Sequence, residues 1–544
     1  MTSASRGVSS PTPKSSDDFG RGVALEGDRL AIGARGDDQA GLDRGAVFVF
    51  HRDDRGTPHD VSDDAWVLED TLLPTLFGSS WFGHSLSLDG DNLLVGRPSS
   101  TSAHSIAYVY RRDDGGTPGD PGDDDWLLQD ELPAPSSDLG DDFGWDVALS
   151  GDWALIGDPH DDTAANQAGA ASLFRRDDAG TPADPADDTW VLHTKLFGSH
   201  PGPFYRFGYT VDLQRERALI GARGEATSAG ADAGAVYVFE REKQGTADPS
   251  DDTWHERARL TAADGFPGDA FGGSVDLEGE LALIGAPGDD DLGDISGAVY
   301  LFRHDDAGTP GAPGDDAWLQ LDKLHAPDGG EDDLFGETVL LKGDTVVVGS
   351  EHPAGPGFVR KGYVFRLEDD LSFTAAGEVH AVAFSTSPLQ LACDGATLLV
   401  GSAGDSALAS GAGAAHVFAI EQAPWTWLGQ SLAGAAGTPC LFGAGPLTTG
   451  SLYTISVHDG APASVATMIL GGTPLNAPFK GGVLVPSPDR LYAVSLDVQG
   501  GFSATAPWPA GIPALTELFL QAWIVDATAP AGFSATNALS FAGP

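Results

Sequence analysis

The sequence predicts an all-β chain, seven four-stranded sheets in series followed by a smaller β-domain, and three observations carry that prediction. Phe-Gly recurs at Phe19, Phe82, Phe143, Phe207, Phe271 and Phe335. A second marker follows each, reading "AIGAR", "LVGRP", "LIGDP", "LIGAR", "LIGAP" and "VVGSE" and ending at Arg35, Pro98, Pro159, Arg223, Pro287 and Glu351. Within each copy apolar and polar residues alternate with a period of two, the signature of a strand with one buried face. The markers advance by 61 to 64 residues, and a seventh, worn copy reads "AFSTSPLQLACDGATLLVGSAG" from Ala383 to Gly404.

The fifth copy shows the elements most clearly. "FGGSVDL" (271–277), "LALIGAP" (281–287), "GAVYLFR" (297–303) and "WLQLDKL" (318–324) are four strands. The turn "EGE" at 278–280 is short enough to make the first two an antiparallel hairpin. The glycine of the second strand has no side chain to pack, so it marks a close backbone approach or a positive φ. Tryptophans 66, 126, 190, 254 and 318 open the fourth strand of five copies. Each is placed to cover the seam between neighbouring sheets, and burying one contributes about 1.5–3 kcal/mol.

Seven such sheets bury both faces only when arranged radially, as a seven-bladed β-propeller. Counted from the Phe-Gly marker, "WTWLGQSL" (Trp425 to Leu432) is assigned as the last strand of the seventh blade, which bounds the propeller at 17–432 and leaves 1–16 as a tail. Residues 433–440 read as a small-residue linker. From 441 to 544 charge almost vanishes and "LYTISV", "VATMIL", "GVLVP", "LYAVSLDV" and "LFLQAWIVD" alternate or cluster as strands. A small β-sandwich is expected there.

The charge narrows the partners. The 544 residues hold 80 acidic and 30 basic side chains, a formal −50. The excess is concentrated before residue 433, where the balance is −47. Such a surface repels nucleic acid and anionic membranes, and it favours cations and basic partners or simply solubility in salt. Cys393 and Cys440 make no disulfide framework, and Cys393, in an apolar run, reads as a packed thiol. No apolar stretch approaches the roughly 18 residues of a membrane span. The N-terminal segment has no signal-type apolar core.

These residues resemble FG-GAP repeats, best known from the head propellers of integrin α subunits. They are closer still to bacterial FG-GAP units such as "LTAADGFPGDAFGGSVDLEGELALIGAPGDDDLGDISGAVYLF" (260–302). The resemblance covers about 17–432 and implies a seven-bladed propeller with ligand binding or adhesion outside the cell. That location would call for an upstream segment before the abrupt start at blade one. The integrin calcium loop, Asp-x-Asp/Asn-x-Asp-Gly-x-x-Asp between the first two strands, is missing. Links such as "LEGDR", "LSGDW" and "LKGDT" cannot present carboxylates at the required positions. The C-terminal pieces "LNAPFKGGVLVPSPD" and "FLQAWIVDATAPAGFSATNAL" resemble a β-domain of secreted planctomycete-type proteins.

Candidate sites lie in the loops after the second strand, where acids cluster: Asp37, Asp38 and Asp43; Asp161 and Asp162; Asp289, Asp290, Asp291 and Asp294. The last four are the richest source of oxygens for a hard cation, so calcium is the one cofactor considered. Aspartate is equally a turn residue, because its carboxylate bonds nearby backbone amides. The motif "RRDDAGTPADPADDTW" (175–190) and its relatives carry both a turn and, at Arg112 or Arg176, a partner for the acids. Exposed pairs of that kind are worth about 0–1 kcal/mol, and charge along a blade rim deters sheet-edge aggregation. The tripeptide Arg35–Asp37 looks like an adhesion motif but coincides with the repeat's own frame. No HExxH, GxSxG, Gx4GK[ST] or GxGxxG is present. The expectation is therefore a monomeric, non-enzymatic, extracytoplasmic protein that binds a protein or glycan through the loops of one face. A carbohydrate-active lyase or hydrolase and a structural envelope component are the alternatives.

Overall fold

The computed structural model of the protein describes residues 6–542, apart from 54, 56–63, 77–79, 100–104, 117–120, 136–139, 180, 182–184, 245–248, 306–315, 355–356, 369–370, 381–387, 396, 407, 421–424, 428–431, 433–438, 445–451, 459–460, 481, 498–499, 508–516, 528 and 530–531. Among the described residues the secondary structure is all strand except one 3-10 turn, Pro249–Asp251. Seven four-stranded antiparallel sheets follow one another. The fifth comprises Ser274–Glu278, Leu281–Ala286, Ala298–Asp305 and Ala317–Leu324, hydrogen-bonded in that order. First strands of successive blades abut around the ring, so each blade's first strand is its innermost. The sequence reading of a seven-bladed propeller holds.

The two markers are the two halves of the joint between blades. Each Phe-Gly phenylalanine is buried and wedges between its own sheet and the one before. Phe335 packs with Leu283, Val299 and Leu301 of the fifth blade and with Val346, Val348, Tyr363 and Phe365 of the sixth. Its backbone bridges Gly297, just ahead of the fifth blade's third strand. Gly336, at φ 91°, turns its carbonyl onto Gly285 of the preceding blade. A Cβ at Gly285 would lie 2.1 Å from that oxygen. The close approach that the sequence suggested therefore belongs to the second marker, and the positive φ to the first. Ser274 completes the joint by donating its hydroxyl to the same Gly336 carbonyl at 2.8 Å. Ser85 and Thr210 make the equivalent bonds to Gly144 and Gly272, at 3.0 and 3.1 Å.

The tryptophans seal the outer part of the same seams. Trp126 is 4 % exposed and clusters with Ala24, Val49 and Leu72 of the first blade. Its Nε1 donates to Glu69 at 2.7 Å and its backbone N to Asp70 at 3.2 Å. Trp190 repeats the arrangement on Gln129 and Asp130.

The seventh blade corrects the sequence reading. Its strands Gln390–Cys393, Thr397–Ser402 and Ala414–Ala419 are completed by Arg6–Val8, which pairs with Val417, His416 and Ala415. Val8 is buried beside Phe48, Leu399 and Ala415. The segment taken for a tail thus includes the closing strand. Trp425–Trp427 instead pairs with Phe541, Ser540 and Leu539. Cys440, placed in the linker, opens a strand, Cys440–Ala444.

The C-terminal unit contains a five-stranded sheet in the order Trp425–Trp427, Phe533–Ala542, Glu517–Val525, Val465–Gly471 and Arg490–Ser495. A three-stranded sheet joins Cys440–Ala444, Leu452–His458 and Phe502–Pro507. One core draws on both, with Leu441 and Val457 from the smaller sheet meeting Ala466, Met468, Leu520 and Ile524 from the larger. That is the two-layer arrangement expected of a sandwich.

Candidate functional site

The aspartates after the second strand are first of all turn-formers. Asp37, Asp161 and Asp289 are buried and accept from the backbone two residues on, at Gln39, Thr163 and Asp291. Asp38, Asp162 and Asp290 accept from the backbone five residues on, at Asp43, Gln167 and Ile295. The same two bonds shape the loop three times. Of the four residues considered for a cation, Asp289 and Asp291 come together with His325. Asp290 is spent on Ile295, and Asp294 is exposed. Lys323 already sits among these acids, with Nζ 2.7 Å from Asp289, 2.7 Å from Asp291 and 2.9 Å from Asp264. Asp37 of the Arg-Gly-Asp tripeptide has no exposed surface, so the tripeptide is not displayed.

The "RRDD" motif ends the third strand, and its basic residue is a clamp. Arg112 reaches Asp91 in the hairpin turn and Asp124 ahead of Trp126, the second at 3.1 Å. Arg176 does the same with Asp152 and Asp188, and His304 with Glu280 and Asp316. The aspartates preceding the tryptophans are buried, Asp124 at 7 % and Asp188 at 6 % exposure. The pairing was expected at an exposed edge, but its inner half is desolvated. The Gly-Thr-Pro turn itself lies largely outside the described residues.

The inner strands carry a polar seam that sequence reasoning missed. Asp146 accepts from Val211 of the next blade at 2.8 Å, Asp212 from Leu277 at 2.6 Å, and Asp276 from Leu341 at 2.6 Å. At the hairpin end Glu26 accepts from Gly90 at 2.6 Å. Burial, then the neighbouring Asp89, pushes Glu26 up to about 8, and burial raises Asp146 to about 7. A raised folded-state value means that the folded protein holds a proton the unfolded chain has released. Stability from Glu26 is complete below its ordinary range and is lost as pH rises through about 8. Glu26→Gln keeps an acceptor for Gly90 and removes the titration. Its melting temperature should fall less between pH 6 and 9 than that of the wild type, by a few degrees. Glu331→Gln, an exposed site with the same charge change, should track the wild type. Parallel profiles for all three proteins would refute the assignment.

At the opposite end of the inner strands lies the most distinctive chemistry. The residues two beyond each marker phenylalanine are Arg21, His84, Trp145, Tyr209, Gly273 and Glu337. The first four touch in succession. Arg21 Nη2 lies 2.9 Å from His84 Nε2, His84 packs on Trp145 with centroids 4.7 Å apart, and Trp145 meets Tyr209 at 5.7 Å. A second tier comes from the residue that ends the second marker. Arg35 stacks on Trp81 at 5.1 Å, and Arg223 on Tyr209 at 4.7 Å. Asp18 steadies Arg35 at 2.9 Å. Burial, then Arg21 and Arg35, holds His84 well below its ordinary range, so it is neutral and accepts from Arg21 through Nε2. Arg21 falls to about 10, chiefly through burial and then Arg35, and stays charged at neutral pH. The result is an arc of cationic and aromatic side chains at this end, the mouth, of the ring. The loops joining second to third strands open on the same end.

The comparisons agree with this frame. The FG-GAP repeat family matches residues 13–50, 126–174, 190–239, 254–302 and 318–365. These five stretches of the propeller are FG-GAP repeats. The matched unit begins at the tryptophan strand, so the family's own frame spans the joint between blades rather than a single sheet. No curated protein matches the chain. Among solved structures, a protein of Lactobacillus plantarum is 14 % identical, with 73 % of this chain and 93 % of that one covered and a TM-score of 0.43. Sqt1 from Chaetomium thermophilum is 13 % identical over 77 % of this chain and 92 % of its own, with a TM-score of 0.39. At such likeness nothing about ligand or activity passes to this FG-GAP propeller.

A concavity of about 500 Å³ lies in the fourth blade, lined by His200, Tyr205, Glu225, Thr227, Ser228 and Arg259. Its carboxylate is committed, since Glu225 accepts from Tyr237 at 2.8 Å and from Arg259 at 2.8 Å. The mouth arc was legible in principle. In an FG-GAP frame whose neighbours repeat, the position two beyond phenylalanine runs Arg, His, Trp, Tyr, Gly, Glu. Variation inside a fixed frame marks a position that the fold leaves open.

Proposed function

We propose that this FG-GAP propeller is a non-enzymatic, extracytoplasmic, adhesion-type binding protein whose ligand is an anionic glycan held at the channel mouth. One observation carries the reading. In a chain of net charge −50, Arg21, Arg35 and Arg223 converge with Trp81, Trp145 and Tyr209 on one end of the ring. Guanidinium groups pair with carboxylate or sulfate in fixed geometry, and aromatic faces offer flat apolar area at low entropic cost. The surrounding acidic surface would repel anionic ligands everywhere else and so focus them on the mouth. The occurrence of FG-GAP repeats in extracellular proteins supports the location. Among the described residues no helix is long and apolar enough to cross a membrane.

The test is a screen of uronate-containing and sulfated glycans, neutral glycans and acidic peptides, followed by calorimetry on the best binder. Arg35→Ala and Trp145→Ala should each weaken an anionic glycan at least tenfold, about 1.4 kcal/mol, with the fold intact. Binding that ignores both substitutions would overturn the site. Preference for acidic peptides would change the ligand class. Steady release of products from a polysaccharide would replace the reading with a carbohydrate-active enzyme. Confinement of the protein to the cytosol would end the adhesion assignment.

A further inference from the structure

In the third blade an acidic residue stands where most other blades keep a small one. The second marker reads "LIGDP" there, and Asp158 occupies the place held by Ala34, Ala222 and Ala286 in the first, fourth and fifth blades and by Ser350 and Ser402 in the last two. The second blade has Arg97. The fold therefore has no need of a carboxylate at this point. Asp158 nevertheless has no exposed surface, and neither of its oxygens has a hydrogen-bond partner. Burying a carboxylate without partners costs several kcal/mol, so such a group is retained only when something compensates it.

Two more buried carboxylates converge on it. Oxygens of Asp141, Asp158 and Asp161 lie within 4.8 Å of one another. Asp141 comes from the loop before the blade's first strand and Asp161 from the loop after its second. Lys195 brings an ammonium to the group, touching Asp161 and standing 3.9 Å from Asp158. Nearby Asp142 is occupied with His160, at 2.9 Å. Among the described residues no cation stands nearer to Asp158 than this ammonium. The fifth blade shows the compensated version, in which Asp289 and Asp291 share Lys323 at 2.7 Å and the marker residue is Ala286.

We propose that Asp141, Asp158 and Asp161 form a binding site for one hard divalent cation of the calcium type. The three groups offer only carboxylate oxygen, without the thiolate or imidazole that zinc or copper selects, and an oxygen set suits calcium over softer metals. Carboxylates binding through one or both oxygens supply three to six of the ligands that calcium takes, and water supplies the rest. The place is distinct from the hairpin turn of the same blade, "SGDW" at 150–153, which lies at the other end of its second strand. The inference is independent of the mouth's ligand.

The full chain, stripped with chelator and dialysed, would be titrated with calcium chloride in a calorimeter and melted with and without the ion. The wild type should show one saturable site and a calcium-dependent rise in melting temperature. Asp158→Ala restores the residue of three sibling blades and should fold. It should bind calcium at least tenfold more weakly and lose the rise, whereas Asp289→Asn should keep both. Absence of saturable binding at millimolar calcium in the wild type would overturn the proposal. So would unchanged affinity in Asp158→Ala, or loss of binding in Asp289→Asn alone, which would move the site to the fifth blade.

Discussion

Gly285→Ala should cost the propeller about 3 kcal/mol, the upper end of what overpacking a single methyl group costs. The added carbon would sit 2.1 Å from the carbonyl oxygen of Gly336 and 2.3 Å from the hydroxyl of Ser274. The hydroxyl is itself bonded to that carbonyl, so it cannot turn aside without giving up the bond. The carbonyl belongs to backbone fixed on the other side by Phe335, which is fully buried. Relief therefore requires the fifth and sixth blades to move apart, and a closed ring has no free end to absorb the displacement. Gly330→Ala is the appropriate control, because a Cβ there would meet only the Asp333 carboxylate at 4.0 Å. Urea unfolding followed by tryptophan fluorescence would read the difference. Equal midpoints for the two variants would show that the joint is softer than its geometry.

Trp126→Ala should be of similar or greater severity, about 3–5 kcal/mol. The ring is 4 % exposed and fills the seam between the first and second blades, against Val49, Leu72 and Tyr110. Truncation removes that apolar contact and also leaves Glu69, whose carboxylate accepts from the indole at 2.7 Å, without one of its donors. Arg29 remains beside Glu69 at 3.4 Å, so the orphaned charge is partly answered. Trp126→Phe separates the two contributions. It should recover most of the packing and none of the hydrogen bond, leaving a deficit of about 1–3 kcal/mol. A phenylalanine variant as stable as the wild type would mean that the indole N–H adds nothing. The alanine variant should also lower the cooperativity of unfolding, because the first blade loses its outer contact with the second.

The blades were legible because the chain states the same pattern seven times. Each Phe-Gly and each second marker was read in a frame confirmed by the next, and every one of the six phenylalanines is buried at a joint. The closing strand had no such support. "RGV" at 6–8 is three residues long, whereas "WTW" at 425–427 carries the tryptophan expected of a fourth strand and pairs elsewhere. A pattern borrowed from the blades misled at the one place where the chain leaves them. The cation candidates were chosen by density of aspartate, and density follows turn chemistry, as the bonds from Asp289 and Asp290 to Asp291 and Ile295 show. The informative acid was isolated instead. Asp158 was visible as the one acidic residue at that place in the second marker. The mouth was invisible to motif search because its residues come one from each blade, about 60 residues apart, and only a ring makes them neighbours.

Arg6–Val8 has a consequence for the order in which the molecule can be made. Its partners, Ala415 to Val417, leave the ribosome about 400 residues later, at a loop-closure cost that grows only slowly with that separation. Six blades can form as they emerge. The strand made before all the blades must wait, unpaired, for almost the last of the propeller. Until they dock, the nascent ring is an open arc with two adhesive ends, one of them the bare edge of Ala414–Ala419. The final clasp is also the shortest strand of the propeller, so anything tethered to residues 1–8 acts directly on whether the circle shuts.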